Sequence, residues 1–172
     1  NGSMVERHTN CFEFPLPRCR WVMDGEQLDI GDRTLVALRP PVYDSPTPRG
    51  LFDPTTGVYW SADAFATPLP DPSLGIADLD TEFWEFGVTL FTYGALSPWL
   101  SMVDPAKYGK TVDRVQGLDI TTVAGCHTPV IEGPFIEQAF AHLRRLPSID
   151  PPPMPDQSVL DEIIAATAQP QD

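Results

Sequence analysis

Over the first third of the chain, apolar positions come in short bursts broken by turn residues, the pattern of β-hairpins. In RWVMDGEQLDIGDRTLVALRP, Arg20–Met23 predicts a strand, Asp24–Gly25 a turn, Gln27–Ile30 a strand, Gly31–Asp32 a turn and Thr34–Leu38 a strand. After the proline-rich loop RPPVYDSPTPRG comes another hairpin, with Leu51–Phe52 and Val58–Trp60 joined by DPTTG. Neither arm contains proline, which suits central strands. Val58, Tyr59 and Trp60 run without polar alternation, so both faces of that strand are expected to be covered.

From Asp78 the spacing turns helical. DLDTEFWEFGVTLFTYG has an acidic start that caps a helix N-terminus. LSPWLSMV opens another turn or helix. Asp104 as N-cap and Pro105 at the first helical position begin a helix over DPAKYGKTVDRVQGL. The β-branched ITTVAG predicts a strand entering a loop at Gly125–Cys126–His127. PFIEQAFAHLRRL predicts an amphipathic helix with Phe135, Ile136, Ala139, Phe140 and Leu143 on one face and His142 outside it, as a surface residue. PSIDPPPMP reads as a linker, and DQSVLDEIIAATA as a last helix capped by Asp156 or Ser158. The order, strands first and helices after, predicts an α/β fold with a mostly antiparallel sheet and helices on one face. Residues 1–19 form an N-terminal segment in which Asn1–Ser3, ahead of Met4, reads as a tag remnant. Residues 20–147 form the folded unit, and residues 148–172 the linker and C-terminal helix.

Charge narrows the classes of partner. The 11 basic residues against 24 acidic ones give a net charge of −13, which repels phosphate backbones and anionic lipid. The reading is therefore no nucleic-acid and no membrane partner, in keeping with the lack of any run of about 18 apolar residues. Cys11, Cys19 and Cys126 are an odd number at spacings unlike a zinc motif, so free thiols in a cytoplasmic setting are expected. His8 and Cys11 lie three apart, which supplies too few ligands for a zinc site. Cys126 reads as a small buried residue rather than a nucleophile.

Three segments place a metal-ligand type at a strand end: Asp44 in VYDSP, Asp63 in SADAF and His127 in GCHTPVIEG. A carboxylate bridges cations and an imidazole supplies a neutral nitrogen donor. Each residue also has a structural use. Asp44 before Ser-Pro suits an Asx-turn, Asp63 can cap the turn that follows it, and His127 can hydrogen-bond its own loop.

Taken together, DGEQLDIGDRTLVAL, DPTTGVYWSADAF, GCHTPVIEG and AFAHLRRLP resemble the C-terminal half of a metallo-β-lactamase-fold protein. The particular likeness is to the oxygen-binding di-iron domain of flavodiiron proteins and their hydrolase relatives. The resemblance implies half of an αβ/βα sandwich, with Asp63 at the bridging-aspartate position and His127 at a later histidine-ligand position. Counting back from Asp63 without gaps puts Asp44 where the family has a further histidine ligand. The family's first metal motif, H-x-H/E-x-D-H, is absent, and His8 is the only histidine before His127.

The implied cofactor is iron or zinc on an incomplete ligand set. The implied chemistry is metal-dependent hydrolysis or di-iron binding of O₂ or NO, weak or absent in this chain by itself. The alternatives are a non-catalytic homodimeric binding module and a fragment of a longer metallo-hydrolase. A half-sandwich leaves a sheet face to be covered, so the expected partner is a second copy or a missing N-terminal half. Asp63 and His127 are expected within about 10 Å of each other, the span of one or two bridged metals.

Overall fold

The computed structural model describes residues 20–71 and 73–167. The tag remnant and the His8–Cys11 pair lie outside the described residues. Among the described residues, six strands form one sheet in sequence order: β1 Gln27–Asp29, β2 Thr34–Leu38, β3 Gly50–Asp53, β4 Val58–Trp60, β5 Thr122–Ala124 and β6 Ile131–Glu132. Short turns join β1 to β2, β3 to β4 and β5 to β6, so these pairs are antiparallel, as is β2 with β3. β4 and β5 run parallel, which requires a long crossover. That crossover holds helices α1 Thr81–Phe91 and α2 Pro105–Gln116; helices α3 Phe135–Arg145 and α4 Gln157–Thr167 follow β6.

Local signals account for most of these boundaries. Asp80 caps α1 through the Phe83 N–H, and Asp104 caps α2 through the N–H groups of Ala106 and Lys107, with Pro105 inside the first turn. Asp53 closes the β3–β4 turn by accepting from the Thr55 N–H and the Thr56 hydroxyl. Asp156, not Ser158, takes the capping role at α4, accepting from the Ser158 N–H at 2.9 Å.

The sheet puts its alternation to use. Tyr59 pairs with Phe52 on one side and Val123 on the other, and Val123 pairs with Ile131. All four are buried on one face, where Trp84 and Val88 of α1, Val112 and Val115 of α2, and Phe140 and Leu143 of α3 pack on them. The opposite face carries Leu28 and Leu35, then Leu51, Val58 and Trp60. None of these five joins the core, and Trp60 is 42% exposed. The helices therefore lie on one face; among the described residues the other has no helix over it, although Ala37 on it is buried.

Three sequence expectations are corrected here. Arg20–Met23 is not a strand. The Glu26 carboxylate gathers this stretch instead, bonding the Met23 N–H at 2.8 Å and pairing with Arg20, while Trp21 and Met23 stay exposed. The helical region that begins near Asp78 is not one run: a 3₁₀ turn at Ile76–Asp78 precedes α1 and a π-helical turn at Thr92–Leu96 follows it.

The third correction is His142, which is buried rather than at the surface. The Thr89 hydroxyl donates to the Glu85 carbonyl at 2.8 Å, so it accepts from His142 Nε2–H at 3.1 Å. Nδ1 is then free to accept from Arg145 at 3.2 Å. The ring is thus a neutral tie between α1 and α3. Burial, with Arg145 beside it, holds its pKa below the ordinary 6.5 against the pull of Glu85. The unfolded chain therefore binds a proton that the folded chain refuses. Stability from this site is fully present above pH 6.5 and is lost as pH falls through the lowered folded value. We expect the unfolding temperature to drop between pH 7.5 and 5.5, and His142→Gln to flatten that slope.

Candidate metal centre

Asp63 and His127 stand at the carboxyl ends of the adjacent parallel strands β4 and β5. Backbone bonds lace the two loops together. The Ser61 N–H donates to the Ala124 carbonyl (2.7 Å), the Cys126 N–H to the Ala62 carbonyl (2.8 Å) and the Thr67 N–H to the His127 carbonyl (2.9 Å). The buried Ser61 hydroxyl lies 2.9 Å from the Ala64 carbonyl and 3.1 Å from that of Ala124. Gly125 leaves the space for this contact: a Cβ there would come within 2.7 Å of the Ala62 carbonyl oxygen and the Ser61 hydroxyl.

The turn itself is strained. Ala62 (φ 54°) and Phe65 (φ 68°) are both in the left-handed region, which costs a non-glycine residue roughly 1–3 kcal/mol. Packing holds the turn in place, because the Phe65 ring meets Phe140 of α3 edge-on, with centroids 5.2 Å apart. α1 passes alongside, its Gly87 against Thr67, and its last residue, Phe91, lies over the His127 ring at 5.6 Å.

Asp63 Oδ1 and His127 Nε2 are 3.7 Å apart, too long for a hydrogen bond and close enough for a shared cation or an ion pair. The Asp63 carboxylate does not cap its turn; the backbone carbonyl of Asp63 accepts from the Ala66 N–H instead. The imidazole is 58% exposed and the carboxylate 28%, so both are open to solvent.

Asp44 is not drawn into this pair. It is exposed, and among the described residues its carboxylate accepts no hydrogen bond, so the Asx-turn is not formed either. Cys126 is exposed rather than buried. Partial burial of its thiol and the nearby Asp63 push its pKa up, away from the thiolate a nucleophile needs.

Among the described residues, no group of three or more His, Cys, Asp or Glu side chains is placed to hold a metal ion. A catalytic metal takes three or more protein ligands. The described residues therefore do not by themselves fit a closed iron pair. Among the described residues no helix is long and apolar enough to cross a membrane.

No protein-family profile matches the sequence, and no curated protein matches it. Solved structures do. A rubredoxin oxygen:oxidoreductase from Desulfovibrio gigas superposes with a TM-score of 0.63 at 16% identity, over 85% of this chain and 34% of its own. The flavodiiron protein from Giardia intestinalis gives 0.64 at 18% identity, over 82% of this chain and 34% of its own. A chemotaxis sensor with a peroxy diiron species gives 0.60 at 15% identity, over 77% of this chain and 54% of its own. The chain spans about a third of the length of the flavodiiron chains it matches. At such identities the likeness is one of fold, and the fold is half of the metallo-β-lactamase-like fold found in flavodiiron proteins.

Proposed function

We propose that this chain is a flavodiiron-type half-domain that keeps Asp63 and His127 as a partial site for iron or zinc and turns over little or no substrate by itself. One observation carries the reading. The Asp63 carboxylate faces His127 Nε2 at 3.7 Å and is not used for capping, although strained backbone holds it there. The ancestral chemistry is that of a metal-dependent hydrolase or a di-iron oxidoreductase handling O₂ or NO. The neighbours' own descriptions, an oxygen oxidoreductase and a peroxy diiron sensor, favour the second. The free Cys126 thiol suits a cytoplasmic setting.

The open sheet face supports a homodimer, in which a second copy covers Leu51, Val58 and Trp60. A second reading is a covering N-terminal half supplied by a longer polypeptide. It is favoured by the chain's spanning only a third of its flavodiiron neighbours.

Titration of the full chain with Zn²⁺ or, without oxygen, Fe²⁺ tests the site. Weak binding that a chelator reverses is expected. Asp63→Ala or His127→Ala should each weaken it at least about tenfold, since loss of a supporting partner alone costs 10–100-fold. Binding untouched by both variants would refute the assignment, and robust chelator-sensitive esterase or lactamase turnover would refute inactivity.

A further inference from the structure

Among the described residues, two largely apolar surfaces are left partly open, and they complement each other. One is the outer sheet face. Register places Ala37, Leu51, Trp60 and Ala124 in one row across β2 to β5, with Ala37 already buried and Trp60 exposed, and puts Leu35 and Val58 in the next row on either side of Asp53, which Arg33 pairs. Three strand spacings make that row roughly 14 Å wide, enough to seat a helix about 10 Å across. The other is α4, which buries no residue. Its Val159, Leu160, Ile163 and Ile164 form one face and are 39–55% exposed, with Ser158, Asp161 and Glu162 on the other side.

α4 cannot close its own sheet. The linker before it is held on the helical side of the core, where the Tyr93 hydroxyl reaches the carbonyls of Leu146 (2.7 Å) and Ile149 (3.3 Å). The Met154 methyl lies against Gly94, 3.9 Å from where a Cβ would sit. Only Pro155 and Asp156 remain before the helix, a reach of roughly 7 Å. The outer face lies beyond the core and the sheet, with layers spaced about 10 Å apart.

We propose that α4 is a strap that crosses to a second copy of the chain and lies on the outer face of its sheet, reciprocally. The proposal rests on the homodimer reading and names the element that makes the dimer. Area favours it over the simplest rival, in which two α4 helices pair with each other. An 11-residue helix is about 16 Å long, and one such pair falls short of the roughly 1,200 Å² a stable interface buries. Two helix-on-sheet contacts add the sheet residues and double the count. Exchange of an identical element is a low-cost route to a dimer. Each copy carries −13, so the association should strengthen with salt.

Sedimentation at micromolar concentration tests the strap on the full chain, on Ile163→Asp and Trp60→Glu, and on a chain ending at Pro155. The truncated chain should still fold, because α4 buries nothing. We expect a full-chain dimer that gains with added NaCl, and monomers for both substitutions and the truncation, with the unfolding temperature of each monomer kept. A truncated chain and an Ile163→Asp chain that remain dimeric would overturn the strap while leaving a sheet-to-sheet dimer. A monomeric full chain would overturn both.

Discussion

Phe140→Ala is expected to remove about 3–5 kcal/mol of folding stability, the usual cost of emptying a fully buried aromatic site. Against the 5–15 kcal/mol typical of a domain, that is a large share. The effect should reach the candidate metal centre. Phe140 is the ring that meets Phe65, and Phe65 holds left-handed backbone two residues from Asp63. Strained backbone persists only while its surroundings enforce it. Urea unfolding measures the first effect. The second should appear as a Zn²⁺ affinity that falls toward that of Asp63→Ala. Phe140→Leu, which keeps most of the volume, should cost much less.

Gly125→Val should be the most damaging single change to the site itself. The position does not need unusual backbone angles; it needs space. A Cβ there meets the Ala62 carbonyl, the Ser61 hydroxyl and the Thr128 methyl, all at 2.7–2.8 Å. One of these is backbone in the Asp63 turn, so the two loops must part. Overpacking of this kind costs about 1–3 kcal/mol. The Cys126–Ala62 bond that couples the loops should go with it, and metal affinity should fall as far as it does in His127→Ala. Thermal unfolding beside a Zn²⁺ titration checks both.

Much of this fold could be read from the residues. The Gly31–Asp32 and Thr-Thr-Gly turns mark the two hairpins, and Asp104–Pro105 marks the start of α2. The unalternated Val58–Trp60 run pointed to a sheet with apolar side chains on both faces, and register does place Tyr59 inward and Trp60 outward. The ends of β4 and β5 marked Asp63 and His127, whose closeness follows from the parallel pairing of those strands.

Other features depended on tertiary contacts. β6 is two residues long, too short to show alternation. Arg20–Met23 has strand-forming residues but no ladder partner, and Glu26 captures it instead. His142 was passed over because it is polar, although it sits one heptad after Phe135 on the buried stripe. Its partners, Thr89 and Glu85, lie on another helix. Asp44 rests on an ungapped count back from Asp63, and it lies exposed in a proline-rich loop.

We propose half of a metallo-β-lactamase-like fold whose described residues supply too few ligands to keep a metal and whose sheet is covered by a second copy. Elemental analysis of the purified full chain after dialysis against a chelator, combined with its mass in solution, tests this most directly. We expect a dimer retaining far less than one iron or zinc per chain. A monomer that keeps one or two metal ions per chain would contradict it.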